Sequence, residues 1–223
     1  MQFERELARF LPTDLPHREL LIHKSAEHLR LITEANEHMN LTRITSTREA
    51  AIKHVYDSVA PWQCFRGATR ILDAGTGAGF PGVPLSIVLP EMQFIFSESI
   101  QKKARFVESV AEQLELTNVR VTHQRAEEIV LNQPMDIITA RAVAPISRIL
   151  ELFRKALKRG ARLLLYKGPD VESELLEAQR HGVAARLLCR YDLPEDLGSR
   201  SLLELKANSV AYEKPHKQAP ANQ

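Results

Sequence analysis

The chain has 223 residues, 44% hydrophobic and 26% charged, enough for one substantial core with a small appended subdomain. Its net charge of +2 gives no compositional licence for a nucleic-acid binder. Lys and Arg outnumber Asp and Glu between residues 100 and 170, which reads first as a merely solvated helical surface and second as a basic face. Cys64 and Cys189 lie far apart with no metal-like or redox-like spacing, MQFEREL shows no signal pattern, and the longest apolar stretch, Val83 to Leu89, falls far short of the roughly 20 residues of a membrane span, so a cytoplasmic monomer without metal or membrane attachment is expected.

From Gln2 to about Ala60 the apolar residues fall at helical spacing, as in Ile22, Ala26 and Leu29, then Ala51, Val55 and Val59. This predicts an N-terminal helical cap over residues 1–62, with Ser46-Thr47 as an N-cap region and Pro61 bounding the last helix. After Gly67 the pattern changes to alternating strands and helices. Strands are predicted at Arg70 to Ala74, Gln93 to Ser97, Asn118 to Thr122, Met135 to Thr139, Ala161 to Tyr166, Gly182 to Cys189 and Ser201 to Lys206. Helices are predicted at Pro84 to Leu89, Gln101 to Leu116, Ile146 to Leu157 and Val171 to Gln179. Strand and helix in repetition imply an α/β fold over residues 63–212, with a mainly parallel sheet covered on both faces and a ligand at the carboxyl ends of the strands. Residues 213–223, rich in Pro, Gln, Ala and Lys, read as a disordered tail.

Arg70 to Pro84, RILDAGTGAGFPGVP, turns sharply from strand to helix through glycines 75, 77, 79 and 82. Two cofactor patterns overlap in it. Gly77-x-Gly79-x-x-Gly82 is a literal dinucleotide fingerprint, whereas Asp73 followed by Gly75-x-Gly77-x-Gly79 suits S-adenosylmethionine. Register favours the second: Gly77 lies three residues beyond the strand, and Pro81 and Pro84 remove two N–H groups from the helix start, weakening a phosphate site. Asp73 would receive ammonium or hydroxyl donors. Glu98, at the end of the second strand, would bind ribose hydroxyls under either reading, and an exposed acid near a helix start would look the same. In the loop after the third strand, Ala126 and Glu127 are candidates for the adenine and its sugar, although acids in the first turn of a helix explain the same residues. No Asn/Asp-Pro-Pro-aromatic step follows the fourth strand, and no cysteine there can serve as nucleophile, so an acceptor atom that is already nucleophilic is expected.

Asn40-Leu41-Thr42, Lys53-His54 with Asp57-Ser58, DAGTGAGFPGVPL, ESIQKKARF, RAEE, Thr139 to Ala144, and Lys167-Gly168 together resemble the bacterial 16S ribosomal RNA guanine-N7 methyltransferases, the RsmG or glucose-inhibited division protein B family. The resemblance runs from about Asn40 to Gly168 and implies a class I methyltransferase-like, Rossmann-like sheet of seven strands. It implies S-adenosylmethionine as cofactor, contacted by Gly75, Phe80, Ala126 and Glu127, with Asp73, Gly77 and Glu98 beside them. Arg141 would lie at the junction of cofactor and substrate, with a structural ion pair to Asp73 or Glu98 as its alternative. Asn40, Lys53, His54 and Lys167 would face 16S ribosomal RNA or the 30S subunit. His54 reads equally as a partly buried helical histidine bonded to Asp57 or Ser58. Where the family has Asp at the second strand end this chain has Glu98, and its ending from Arg200 to Gln223 is less basic than the family's. Guanine N7 carries a lone pair and no hydrogen, so in-line transfer needs alignment and electrostatics but no general base. The rival readings are an NAD(P)-dependent oxidoreductase and a nonenzymatic RNA-binding module.

Overall fold

The computed structural model describes residues 1–141 and 144–208. Five helical segments come first: α1 (Gln2–Phe10), α2 (Arg18–Met39), α3 (Thr47–Ala50), a π-helical stretch (Ala51–Tyr56) and α4 (Asp57–Val59), followed by a 3₁₀ turn (Trp62–Phe65). Ser46 caps α3 by accepting the Glu49 N–H at 3.4 Å. Then follow β1 (Arg70–Ala74), α5 (Gly82–Val88), β2 (Gln93–Ser97), α6 (Gln101–Gln113), β3 (Val119–Thr122), α7 (Ala126–Asn132), β4 (Ile137–Arg141), α8 (Ile146–Lys158), β5 (Arg162–Lys167), α9 (Glu172–Arg180), β6 (Val183–Asp192) and β7 (Ser199–Ala207). The strands form one sheet in the order β3-β2-β1-β4-β5-β7-β6. All neighbours are parallel except β7, which runs antiparallel to both β5 and β6. Strand order reverses between β1 and β4, where open α/β sheets place their ligands.

Successive strand residues point to opposite faces, so the apolar pairs Ile71 and Leu72, Ile137 and Ile138, Leu164 and Leu165, and Leu202 and Leu203 each feed two layers. On one face they meet α7, α8 and α9 through Ile129, Ile149, Phe153 and Ala178. On the other they share a single cluster with Leu7, Leu21, Leu29 and Val55 of the N-terminal helices. Those helices therefore complete a layer of the core. Each fully buried Leu or Ile contributes roughly 1.5–3 kcal/mol relative to exposure, so the sheet and the cap stabilise one another. Among the described residues no helix is long and apolar enough to cross a membrane.

Among the element boundaries that depart from the sequence reading, three have a clear local reason. Helix α6 stops at Gln113, short of Leu116, because Glu115 takes φ 49° and Leu116 N–H returns to the Ala111 carbonyl at 2.9 Å. Strand β4 begins two residues late because Asp136 turns its Oδ2 back to accept the N–H groups of Thr69 and Arg70 at 2.7 and 2.8 Å. That shift carries the strand through Arg141, setting its side chain at the carboxyl edge of the sheet. Strand β6 continues past Cys189 to Asp192, through a register slip between Leu187 and Cys189. The proposed tail, residues 213–223, lies outside the described residues.

Candidate active site

Asp73, one residue before the end of β1, is fully buried, and its Oδ2 accepts from Thr76 Oγ1 at 2.7 Å and from the Gly82 N–H at 2.9 Å. Its Oδ1 has no partner among the described residues, and burial pushes the carboxyl up to about 6. Gly82 permits this closeness: a Cβ there would lie 2.4 Å from Phe96 and 2.6 Å from Asp73 Oδ2. Between the two, the backbone is closed on itself. Gly75 and Thr76 N–H groups donate to the Ser97 carbonyl, Gly79 and Phe80 to the Thr76 carbonyl, Val83 to the Gly79 carbonyl, and Gly77 to Glu98 Oε2 at 3.1 Å. With Pro81 and Pro84 carrying no N–H, these donors are spent inside the protein and are turned away from any pyrophosphate. The literal dinucleotide fingerprint is thus a structural turn.

Glu98 is buried, its Oε1 accepting the Ile100 N–H at 2.8 Å while Oε2 holds Gly77. The acid expected to meet ribose therefore also pins β2 to the glycine turn. A carboxylate has about four acceptor positions, and these bonds use two. Beside it opens a cavity of about 280 Å³ that brings together Gly75, Ala126 and Glu127 with Ser97, Arg148 and Phe153. Ala126 is buried at the start of α7, which leaves Glu127 partly exposed on the rim. Arg148 and Phe153 of α8 escaped the sequence reading because their helix reads as ordinary amphipathic surface and core.

Phe80 does not line that cavity. It is buried as the centre of a stack, with His28 at 4.7 Å and His54 at 4.6 Å on its two faces and the Arg141 guanidinium 5.4 Å from its ring centre. His28 donates Nε2–H to the Ala78 carbonyl at 2.7 Å, an approach that Gly79 allows because a Cβ there would come within 3.0 Å of the imidazole. Burial holds His28 down to about 4. His54 falls to about 3, by burial first and then by the positive charge of Arg141. Both rings are neutral at physiological pH. The His54 ring shares its Nε2 hydrogen bond with Thr42 Oγ1 at 3.0 Å, while the Ser58 hydroxyl donates to the His54 backbone carbonyl.

A second cavity, of about 400 Å³, gathers Lys53, His54, Asp57, Arg141, Tyr166, Lys167 and Arg200 on the neighbouring side. Arg141 donates to Asp57 Oδ2 at 3.4 Å and to the Lys53 carbonyl at 3.0 Å, so its ion-pair partner is Asp57 rather than Asp73 or Glu98. Asp57 Oδ1 accepts the Tyr191 hydroxyl at 2.9 Å. Lys53 pairs with Glu49 at 3.0 Å and Lys167 with Glu174 at 2.6 Å, both at the cavity's edge. Asn40 lies apart. It is the exposed left-handed cap of α2, while Asn36 holds the following loop through paired bonds to the Thr42 N–H and carbonyl, both 2.9 Å. Asp57, Tyr191 and Arg200 were not assigned from sequence, since no spacing joins a helix to a hairpin more than a hundred residues away.

Residues 21–187 match the GidB family, described as rRNA small subunit methyltransferase G. The ribosomal RNA small subunit methyltransferase G of Solibacter usitatus is 54% identical over 210 residues, covering 92% of this chain and all of that protein. Its namesake from Staphylococcus haemolyticus is 37% identical, covering 87% and 85% of the two chains. Among solved structures, the O-methyltransferase TomG of Streptomyces achromogenes, in complex with SAM, superposes with a TM-score of 0.55 at 18% identity, covering 81% of this chain and 90% of that one. A SAM-dependent O-methyltransferase of Thermotoga maritima gives 0.55 at 18% identity, covering 79% and 71%. These distant likenesses speak for the fold: a class I methyltransferase sheet. With its family match spanning most of the sequence and a full-length relative at 54% identity, the chain belongs to the GidB family of small-subunit rRNA methyltransferases.

Proposed function

We propose that this protein transfers the methyl group of S-adenosylmethionine to N7 of a guanine in 16S ribosomal RNA, with residues 63–212 holding the cofactor and the cap of residues 1–62 forming the RNA-facing wall. The observation that carries this reading is the pair of cavities at the carboxyl ends of the strands, one lined by Gly75, Ala126 and Glu127, the other by Lys53, His54, Arg141 and Lys167. The first fits a ligand without phosphate. The N–H groups of Gly75, Thr76, Gly77, Gly79 and Phe80 are spent inside the protein, while next to the lining residues in sequence Asp73 keeps a buried oxygen with no partner among the described residues and Glu98 keeps acceptor capacity for ammonium or hydroxyl groups. The family's rRNA description and the SAM complex of TomG agree with that chemistry.

When bound, S-adenosylmethionine supplies an electrophilic methyl on a sulfonium. Guanine N7 offers a lone pair with no proton to remove, and the site is built accordingly: a His54 held near 3 is too weak a base to take a proton at neutral pH. Positive charge passes to the purine as it is methylated, so a bare cation beside the ring would oppose the reaction. Asp57 compensates Arg141 and, with the Lys53 carbonyl, fixes its direction. Lys53 and Lys167 at the rim suit phosphates on either side of a guanine turned out of its stack, because the deep groove of A-form RNA is closed to side chains. The decisive experiment incubates the protein with labelled S-adenosylmethionine and 30S particles or 16S RNA, then digests the RNA to nucleosides. Labelled 7-methylguanosine is expected; label in another nucleoside without it overturns the acceptor assignment.

A further inference from the structure

His28 sits in the middle of α2 and lines neither cavity, yet it is fully buried against the glycine turn. Gly77 at φ 60° and Gly79 at φ 100° flank Ala78, so the backbone on either side of it can rotate where residues bearing a Cβ could not. The Thr76 and Gly79 carbonyls in this turn are taken by backbone N–H groups. The Ala78 carbonyl accepts instead from His28 Nε2–H at 2.7 Å. A carbonyl can only accept, which places the ring's proton on Nε2 and leaves Nδ1 as an acceptor, buried with no partner among the described residues. An orphaned buried nitrogen destabilises the fold in a way that an apolar side chain of similar size would not. Packing alone therefore does not account for a histidine at this position.

The same ring stacks on one face of Phe80 at 4.7 Å, and His54, which lines the larger cavity, stacks on the other at 4.6 Å. The Arg141 guanidinium lies 5.4 Å from the centre of the Phe80 ring. Phe80 follows Gly79 directly, so the residue that closes the turn is gripped between α2 and the lysine-bearing cavity wall.

We propose that His28 is a positioning residue for methyl transfer: it fixes the Ala78 peptide and backs Phe80 against His54, so that the turn beside the cofactor and the wall beside the acceptor base keep one relative placement. It acts through Ala78 and Phe80 and takes no part in proton transfer. The proposal rests on the two cavities holding S-adenosylmethionine and a guanine. In-line displacement is sensitive to such placement, since a misplacement of about 1 Å caused far from the reacting atoms can slow a reaction on the order of 10²-fold.

The test compares His28→Leu, which fills the space without a donor, with His28→Gln, whose amide can return an N–H at the reach of Nε2. Transfer of labelled methyl to 30S particles or 16S RNA is measured at saturating S-adenosylmethionine, with rates expressed per cofactor site counted by calorimetry so that unfolded molecules do not enter. His28→Leu should lower kcat about tenfold or more while the KM for RNA changes little, and His28→Gln should recover most of the loss. A residue that only fills the core would alter the number of sites and not the rate at each. A kcat for His28→Leu within about twofold of the unmodified protein, or a His28→Gln as slow as His28→Leu, would overturn the proposal. Label found in a nucleoside other than 7-methylguanosine would overturn the acceptor assignment instead, and the ratio of rates between variants would still decide the role of His28.

Discussion

Arg141 at the end of β4 donates to Asp57 Oδ2 at 3.4 Å, tying the central sheet to a helix of the N-terminal cap. The guanidinium side chain is 20% exposed and the carboxylate 5%, so removing one partner strands a mostly desolvated charge. Asp57→Ala should cost about 2–4 kcal/mol in urea unfolding. Asp57→Asn, which keeps an acceptor for Tyr191, should retain more stability while lowering methyl transfer. Wild-type single-turnover rates for Asp57→Asn would refute the orienting role of this pair.

Gly82→Ala places a methyl group 2.4 Å from Phe96 and 2.6 Å from Asp73 Oδ2. Neither neighbour can retreat, since one is core and the other is held by Thr76. Overpacking of this kind costs about 1–3 kcal/mol, and S-adenosylmethionine affinity measured by calorimetry should fall with it. An unchanged affinity would mean that the turn does not shape the cofactor site.

Asp73 imposes a pH dependence of unusual sign for a carboxylate. Its folded value is raised from an ordinary 3.8 to about 6, so its protonated form is the one folding favours. Stability from this group is full below about 4 and is lost as pH rises through 6, by roughly 3 kcal/mol. Denaturant titrations of wild type and Asp73→Asn across pH 4 to 8 should show the difference moving in favour of the variant by about that amount. A difference flat with pH would contradict the assignment.

His28 and His54 act in the opposite direction. Held at about 4 and about 3, they contribute stability that is complete above 6.5 and is lost as pH falls through those values. Their imidazole NMR resonances should stay in the neutral position at pH 5, where an ordinary histidine is largely protonated. Movement of either signal between pH 7 and 5 would show that the Phe80 stack is open to water.

Lys53→Ala and Lys167→Ala each remove a cation from the rim of the larger cavity without touching the glycine turn. RNA affinity should weaken several-fold at low salt, and the slope of log affinity against log salt should fall by about 0.7–0.9 per lysine. S-adenosylmethionine affinity should not change. Equal loss of both affinities would place these lysines in the scaffold instead.

Much of this was legible in the residues because the signals are local. Apolar alternation marked the strands from Arg70 onward, and the spacing of Asp73, the glycines and Pro81 distinguished one cofactor turn from another. Gly75, Ala126 and Glu127 line one cavity, and Lys53, His54, Arg141 and Lys167 another. Asp73, Gly77 and Glu98 line neither cavity, nor do Phe80 and Asn40. A phenylalanine after a glycine turn reads the same whether it faces a ligand or two histidines, and an asparagine at a helix end also serves as a left-handed cap.

The sequence by itself determined the order of elements, the cofactor class of the turn and the family, because each depends on side-chain periodicity or on backbone freedom over a few residues. Only the tertiary structure decided which groups share a site: Asp57 with Arg141 and Tyr191, and His28 and His54 around Phe80. These contacts hang on strand register. The bulge in β6 selects which side chains reach which face, and register is set by packing across the whole sheet.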